Sequence, residues 1–201
     1  MKLESRYRVL IIAMIVIGGF ALLGKMVFFP ATYVPTEFTE ARLEGATIAQ
    51  KIVTLSGGAL ASLEKISEYD KNGETAEALI LISQQLIANR VNQEEAVKLS
   101  RQLEKMARFL SNIKPANARQ QATEAVTSEV ALVSRLISYN DYLKQLFEVL
   151  SAKFNHRYSN VYESRDQVEG LIQKVNEEAQ AINEFDGRFN KALAELDKIV
   201  L

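Results

Sequence analysis

Residues 122–154 read ATEAVTSEVALVSRLISYNDYLKQLFEVLSAKF, a run that contains neither proline nor glycine. Apolar residues return along it at spacings of three, four or seven, namely Ala122, Val126, Val130, Val133, Leu136, Leu143, Phe147, Leu150 and Phe154. Spacings of this kind place side chains on one side of an α-helix. The run therefore predicts a long helix with one buried face.

Three further stretches show the same periodicity, at residues 41–66, 79–113 and 161–200. Asp70-Lys71-Asn72-Gly73 separates the first two, because Asn and Gly accept the left-handed backbone of a tight turn. Lys114-Pro115-Ala116-Asn117 separates the second from the third, because proline disfavours helix in the residue before it. The chain has only 3 prolines and 9 glycines in 201 residues, which also favours long helices.

Two helix boundaries stay open at this level. Asn92 and Glu95 have the spacing of a capping box, and the apolar stripe weakens over residues 89–95, so the second helix is open to a break there. Residues 155–160 keep the stripe in phase but contain poor helix formers, so the third and fourth stretches are either two helices or one rod. A break gives four helices of similar length that bury one another, and we favour it. The predicted fold is all-α, an elongated up-down four-helix bundle, with a long coiled-coil hairpin as the second choice.

A membrane segment is predicted before the bundle. Residues 9–29 are apolar apart from Lys25, and as a helix they would rise about 31 Å, enough to cross a bilayer. Basic residues crowd residues 1–8 and are sparse after residue 29, which keeps the N-terminus in the cytoplasm. The predicted order is a cytoplasmic tail (1–8), a signal-anchor helix (9–29), a linker (30–35) and a bundle on the outer side (36–201). The alternative, a cleaved signal peptide, fits less well because the apolar stretch is long.

Composition excludes several kinds of chemistry. The chain has no cysteine and a single histidine, so thiolate sites and multi-histidine metal sites are impossible within it. Residues 36–201 hold 20 basic and 24 acidic residues without a basic face, which argues against nucleic acid as a partner. The phosphate-loop, nucleophile-elbow and dinucleotide motifs are missing, and Asp70–Gly73 lacks the later ligands of a calcium loop. We expect no enzyme activity, cofactor or metal.

One region is richer in polar and aromatic residues than the rest. Six residues in it are candidate partner contacts, because Tyr and Arg are favoured at interaction hot spots: Tyr139, Tyr142, His156, Arg157, Tyr158 and Tyr162. The alternative is that these aromatics fill the end of the bundle. Asn140 falls on the apolar stripe and is a candidate for fixing helix register.

Two functions are compatible with this layout. The first is a non-enzymatic scaffold, spacer or protein-interaction module, anchored in the cytoplasmic membrane and facing outward, with a protein partner or a second copy of itself. The second is a sensory or ligand-binding bundle that signals through a partner membrane protein. A polar cavity midway along the bundle would favour the second.

Overall fold

The computed structural model describes residues 33–155 and 161–200. Four α-helices follow one another in these ranges, α1 (Thr36–Asn72), α2 (Thr75–Phe109), α3 (Ala116–Phe154) and α4 (Val161–Val200), with a 3-10 helix at Leu110–Asn112. The most extensive contacts are those of α1 with α2 and of α3 with α4, so the helices form two hairpins. The two hairpins contact each other through α2 and α3. The all-α class and the four helices are confirmed, and the third and fourth stretches are separate helices.

The predicted membrane segment, residues 9–29, lies outside the described residues, as do the tail before it and the start of the linker. Within residues 33–155 and 161–200, every helix is too short or too polar to cross a bilayer.

Two of the helices begin directly after a proline. Pro35 precedes α1, and its carbonyl accepts hydrogen bonds from the backbone N–H groups of Phe38 and Thr39 at 3.1 and 3.3 Å. Pro115 precedes α3, and its carbonyl accepts the N–H of Arg119 at 3.1 Å. Proline restricts the backbone at these positions, so each helix has a defined start.

The turn between α1 and α2 depends on Gly73. This glycine has φ 75° and ψ 16°, the left-handed conformation, and it ends α1. The next residue, Glu74, donates its N–H back to the carbonyl of Tyr69 at 2.9 Å. The predicted turn at residues 70–73 therefore closes at its last residue, while Asp70, Lys71 and Asn72 stay in the helix.

Gly73→Ala is expected to lower the free energy of unfolding by about 1 kcal/mol, because a Cβ is disfavoured in the left-handed region. Chemical denaturation measures the change. Gly187→Ala is the matched control. Gly187 lies inside α4, where an added Cβ meets no heavy atom within 4 Å, so alanine there should raise the free energy of unfolding by about 0.5–1 kcal/mol. Equal effects of the two substitutions would contradict the assigned turn.

The possible break in the second helix at residues 92–95 is wrong. α2 runs without interruption from Thr75 to Phe109. Asn89, Asn92 and Glu95 are buried side chains on its inner face, so the buried face continues through polar residues. The apolar stripe weakens there because the core itself is polar at that level.

The prediction that Val130 lies on the buried face of α3 is also wrong. Its side chain is 53% exposed, whereas the neighbouring Glu129 is 3% exposed. The buried positions of α3 alternate at spacings of three and four through Val126, Glu129, Val133 and Leu136, and this alternation selects residue 129. A carboxyl group thus occupies a position that hydrophobicity alone assigns to valine.

The two ends of the bundle are held by different contacts. At one end, which we call the entry end, Tyr33 and Lys114 exchange backbone hydrogen bonds of 3.1 and 3.0 Å, and Arg42 of α1 binds Asp197 of α4. At the other end, the tip end, Lys153 of α3 binds Asp70 of α1 at 2.6 Å. The 37 residues of α1 place these ends about 55 Å apart.

Candidate functional site

An open groove lies between α3 and α4 in the half of the bundle toward the tip end. Its volume is about 520 Å³, and its lining residues are Gln145, Glu148, Val149, Asp166, Gln167, Gly170, Leu171 and Lys174. We call it the α3–α4 groove. It lies in the same half of α3 as Tyr139 and Tyr142, two of the candidate contact residues predicted from the sequence.

Gly170 helps to keep the groove open. A Cβ built on this glycine meets no heavy atom within 4 Å. A larger side chain there would occupy the groove without displacing anything in the folded chain. Glycine also weakens a helix by about 1 kcal/mol relative to alanine. At residue 170 its lack of a side chain leaves the groove open.

Both signs of charge lie on the rim of the groove. Glu148 interacts with Lys144 on the same helix at 3.8 Å, and Lys174 of α4 lies over the ring of Tyr142 of α3, with its Nζ 5.2 Å from the ring centre. The latter is a cation–π contact, which at an exposed site contributes about 0.5–1 kcal/mol. Val149 and the buried Leu171 supply apolar surface between these polar groups.

The six candidate contact residues predicted from the sequence are not all placed alike. Tyr142 is half-buried and borders the groove through Lys174. Tyr139 is 2% exposed, and burial raises the pKa of its hydroxyl. Its ring belongs to the core and is not open to a partner in this conformation. His156, Arg157 and Tyr158 lie outside the described residues, and of Tyr162 only the helical backbone is described, so their contact role stays a prediction.

A layer of amide side chains crosses the middle of the bundle. Asn92 of α2 donates to Oγ of Ser56 of α1 at 2.9 Å and to Oδ1 of Asn140 of α3 at 3.0 Å. Asn140, which is fully buried, donates to the carbonyl of Leu136, and Asn89 donates to the carbonyl of Asn140, at 2.9 and 2.8 Å. These groups bind one another across three helices. Such bonds are what a register-fixing role of Asn140 requires, and that role stays a prediction.

The ionisable groups of the described residues do not form a metal site. No group of three or more His, Asp or Glu side chains in this part of the chain is placed to hold a metal ion. The buried Glu95 is paired instead: Lys51 of α1 lies 2.6 Å from it and Lys98 of α2 lies 2.9 Å from it. Hydrogen bonds from Lys51 and then from Lys98 hold the pKa of Glu95 below its ordinary value.

Glu95→Gln is expected to lower the free energy of unfolding by about 1 kcal/mol at pH 7, because it removes the charge that both lysines bind. A carboxyl whose pKa is lowered by folding stabilises the fold above its ordinary pKa, and the contribution disappears as the pH falls through the folded pKa. The difference between wild type and variant should therefore vanish in acid. Urea unfolding at pH 7 and pH 3.5 measures it, and an undiminished difference at the lower pH would contradict the pairing.

The sequence did not predict the residues of the groove, since none of the six candidate contact residues lines it. Gln145, Glu148, Asp166 and Gln167 are polar residues at surface positions of helices, and nothing in their spacing distinguishes them from other solvated positions. Gly170 was the available signal, since a glycine inside a helical pattern often has a packing or functional reason.

The fold and the groove define the protein as a four-helix bundle with a surface groove near one end. Comparisons of the chain with protein-family models, with curated proteins and with solved structures find no match. Its function is therefore argued from its own residues.

Proposed function

We propose that the protein is a non-enzymatic scaffold or protein-interaction module, held at the outer side of the cytoplasmic membrane by a helix at residues 9–29. The α3–α4 groove is its partner contact, and the position of this groove in the half of the bundle remote from the anchor is the observation that carries the proposal. The bundle acts as a spacer that presents the groove away from the bilayer.

The layout of the chain supports this arrangement. Residues 33–35 lead into α1 at the entry end, where Tyr33 is hydrogen-bonded to Lys114 in the turn between α2 and α3. The chain therefore enters the bundle at one end, and the groove lies toward the other. With the bundle upright on the membrane, the tip end stands about 55 Å from the entry point.

The chemistry of the groove supports a protein segment as the occupant. Amide side chains at Gln145 and Gln167 can both donate and accept hydrogen bonds, and carboxylates at Glu148 and Asp166 accept them. Val149 and Leu171 offer apolar area. A rim of polar groups around apolar surface is the usual anatomy of a protein–protein contact.

The sensory alternative has less support. It calls for a polar cavity between the helices, and at mid-bundle the amides of Asn92 and Asn140 are hydrogen-bonded to each other. If the occupant of the groove is a second copy of this chain, the crosslinked product has twice the mass of the chain.

Membrane topology is testable because the chain has no cysteine of its own. A single cysteine placed at Ser5 should be protected from a membrane-impermeant maleimide in intact cells, and one placed at Gly187 should react. Reaction at both positions, or recovery of the chain in the soluble fraction, would overturn the anchoring part of the proposal.

The contact itself is testable by photo-crosslinking in intact membranes. A photoreactive residue at position 167, in the groove, should give a discrete crosslinked product, and the same residue at position 191, an exposed position further along α4, should not. Equal products from both positions, or none from position 167, would overturn the groove as the contact.

A further inference from the structure

Two carboxyl side chains lie inside the bundle on facing helices, outside the groove and the amide layer. Glu129 of α3 is 3% exposed and Asp186 of α4 is 4% exposed. The Oδ1 atom of Asp186 is buried without a hydrogen-bond partner among the described residues. A buried acceptor without a donor is costly, by roughly 1–3 kcal/mol, unless a proton or another ligand satisfies it.

The basic side chain near Glu129 and Asp186 is already paired with another carboxylate. Arg42 of α1 is the cation that acts on Glu129, but its two terminal nitrogens donate to both oxygens of Asp197 at 2.7 and 2.8 Å. From α2 the residue in this part of the core is Gln102, a neutral side chain that lies against Gly45 of α1. Arg101 and Lys105, the basic residues of α2 on either side of Gln102, are both exposed, and Lys105 lies beside Glu44.

The cluster thus contains three carboxyl groups and one guanidinium. Two ionised carboxylates inside a bundle without a counter-ion of their own are strongly unfavourable. Burial, and then the negative charge of Asp186, raise the pKa of Glu129 to about 8, although Arg42 opposes the change. Burial also raises the pKa of Asp186 to about 6, against a hydrogen bond from the side chain of Asn190.

We propose that Glu129 and Asp186 form an internal proton-binding site that makes the packing of α4 against α3 depend on pH in the neutral range. With a proton bound, one carboxyl is neutral and is able to donate a hydrogen bond. Without it, two negative charges face each other in the core, and α4 is expected to loosen from α3 to admit water.

The direction of the pH effect follows from linkage. Both groups bind a proton more tightly in the folded chain than in the unfolded chain, so folding takes up protons at neutral pH. The stabilisation is complete below the ordinary carboxyl pKa values and is lost as the pH rises through about 6 and 8. Glu95, whose pKa is lowered, contributes in the opposite sense.

The test is urea unfolding of the full chain in mild detergent between pH 5 and pH 9. The wild-type midpoint should fall steadily over this range. Glu129→Gln and Asp186→Asn should flatten the profile, and Glu129→Gln should be the more stable chain at pH 9. Glu178→Gln is the matched control: Glu178 of α4 also has a buried carboxyl oxygen without a hydrogen-bond partner among the described residues, but Arg135 lies 3.5 Å from its other oxygen, so this variant should keep the wild-type slope.

A wild-type midpoint that is independent of pH over this range would overturn the proposal, as would a Glu129→Gln variant with the wild-type slope. If both variants fail to fold, infrared spectroscopy of the folded wild type decides, since a protonated carboxyl band should be present at pH 6.5 and disappear by pH 9. Its absence at pH 6.5 would overturn the proposal. So would a midpoint at pH 9 that rises with Na⁺, K⁺, Mg²⁺ or Ca²⁺ at constant ionic strength, since a metal cation would then be the ligand.

Discussion

Replacing Phe147 by alanine is expected to lower the free energy of unfolding by about 3–5 kcal/mol, because a fully buried aromatic ring leaves a cavity that the helices fill only in part. Phe147 is 0% exposed on the inner face of α3. A loss of this size is a large fraction of the roughly 5–15 kcal/mol that stabilises a typical domain. Thermal or urea unfolding of the full chain measures it.

Val130→Ala is the control for this prediction and tests a second point. The apolar stripe assigned Val130 to the core, whereas the structure leaves it 53% exposed. Its truncation should change stability by less than about 0.5 kcal/mol. Losses of similar size at residues 130 and 147 would show that the face of α3 is wrongly assigned.

Replacing Asn140 by alanine is expected to cost about 2–3 kcal/mol, the penalty for leaving buried polar partners unsatisfied. Asn92 would lose one of its two acceptors, and the carbonyl of Leu136 would lose the donated amide. The bond from Asn89 should survive, because its acceptor is the backbone carbonyl of residue 140. Urea unfolding measures the loss.

A double-mutant cycle separates the amide bond from the packing change. Asn92→Ala and Asn140→Ala together should cost less than the sum of the two single substitutions, by about 1 kcal/mol, since each already breaks the shared bond. Strict additivity would mean that the two side chains are not coupled in solution.

Much of the fold was accessible from the sequence because the helices are long and strongly periodic. Gly73 and Pro115 mark two of the turns through constraints on their own backbone, and these constraints act locally. The end of α3 was harder to place, because residues 155–160 contain neither proline nor glycine, and the break was predicted from poor helix formers and from the packing that helices of equal length allow.

Buried polar residues were the main source of error. Asn89, Asn92 and Glu129 occupy core positions that a search for apolar side chains passes over. The alternation of three and four residues along each helix identifies them, and for Asn89 and Asn92 the partners that make burial tolerable arrive from other helices. Such partners are set by tertiary register, which a single sequence does not display.

The candidate site could be located only coarsely for a related reason. The position of a groove between α3 and α4 depends on which faces of the two helices meet. That Gln145 and Asp166 line the same groove is evident only when this pairing is known. The cluster of tyrosines did not predict the groove, since none of the six candidate residues is among its lining residues. It did not distinguish Tyr139, which is a core residue, from Tyr142, which borders the groove.

The measurement that tests the proposed function most directly compares two substitutions of glycine by glutamine. Gly170→Gln places a side chain in the α3–α4 groove, and Gly187→Gln places the same side chain on α4 away from it; neither meets a heavy atom within 4 Å at its Cβ. Both should fold at least as stably as wild type.

Crosslinking from position 167 in intact membranes should fall roughly tenfold in Gly170→Gln, equivalent to about 1.4 kcal/mol of binding free energy, and stay unchanged in Gly187→Gln. Unchanged crosslinking in both variants would contradict the account.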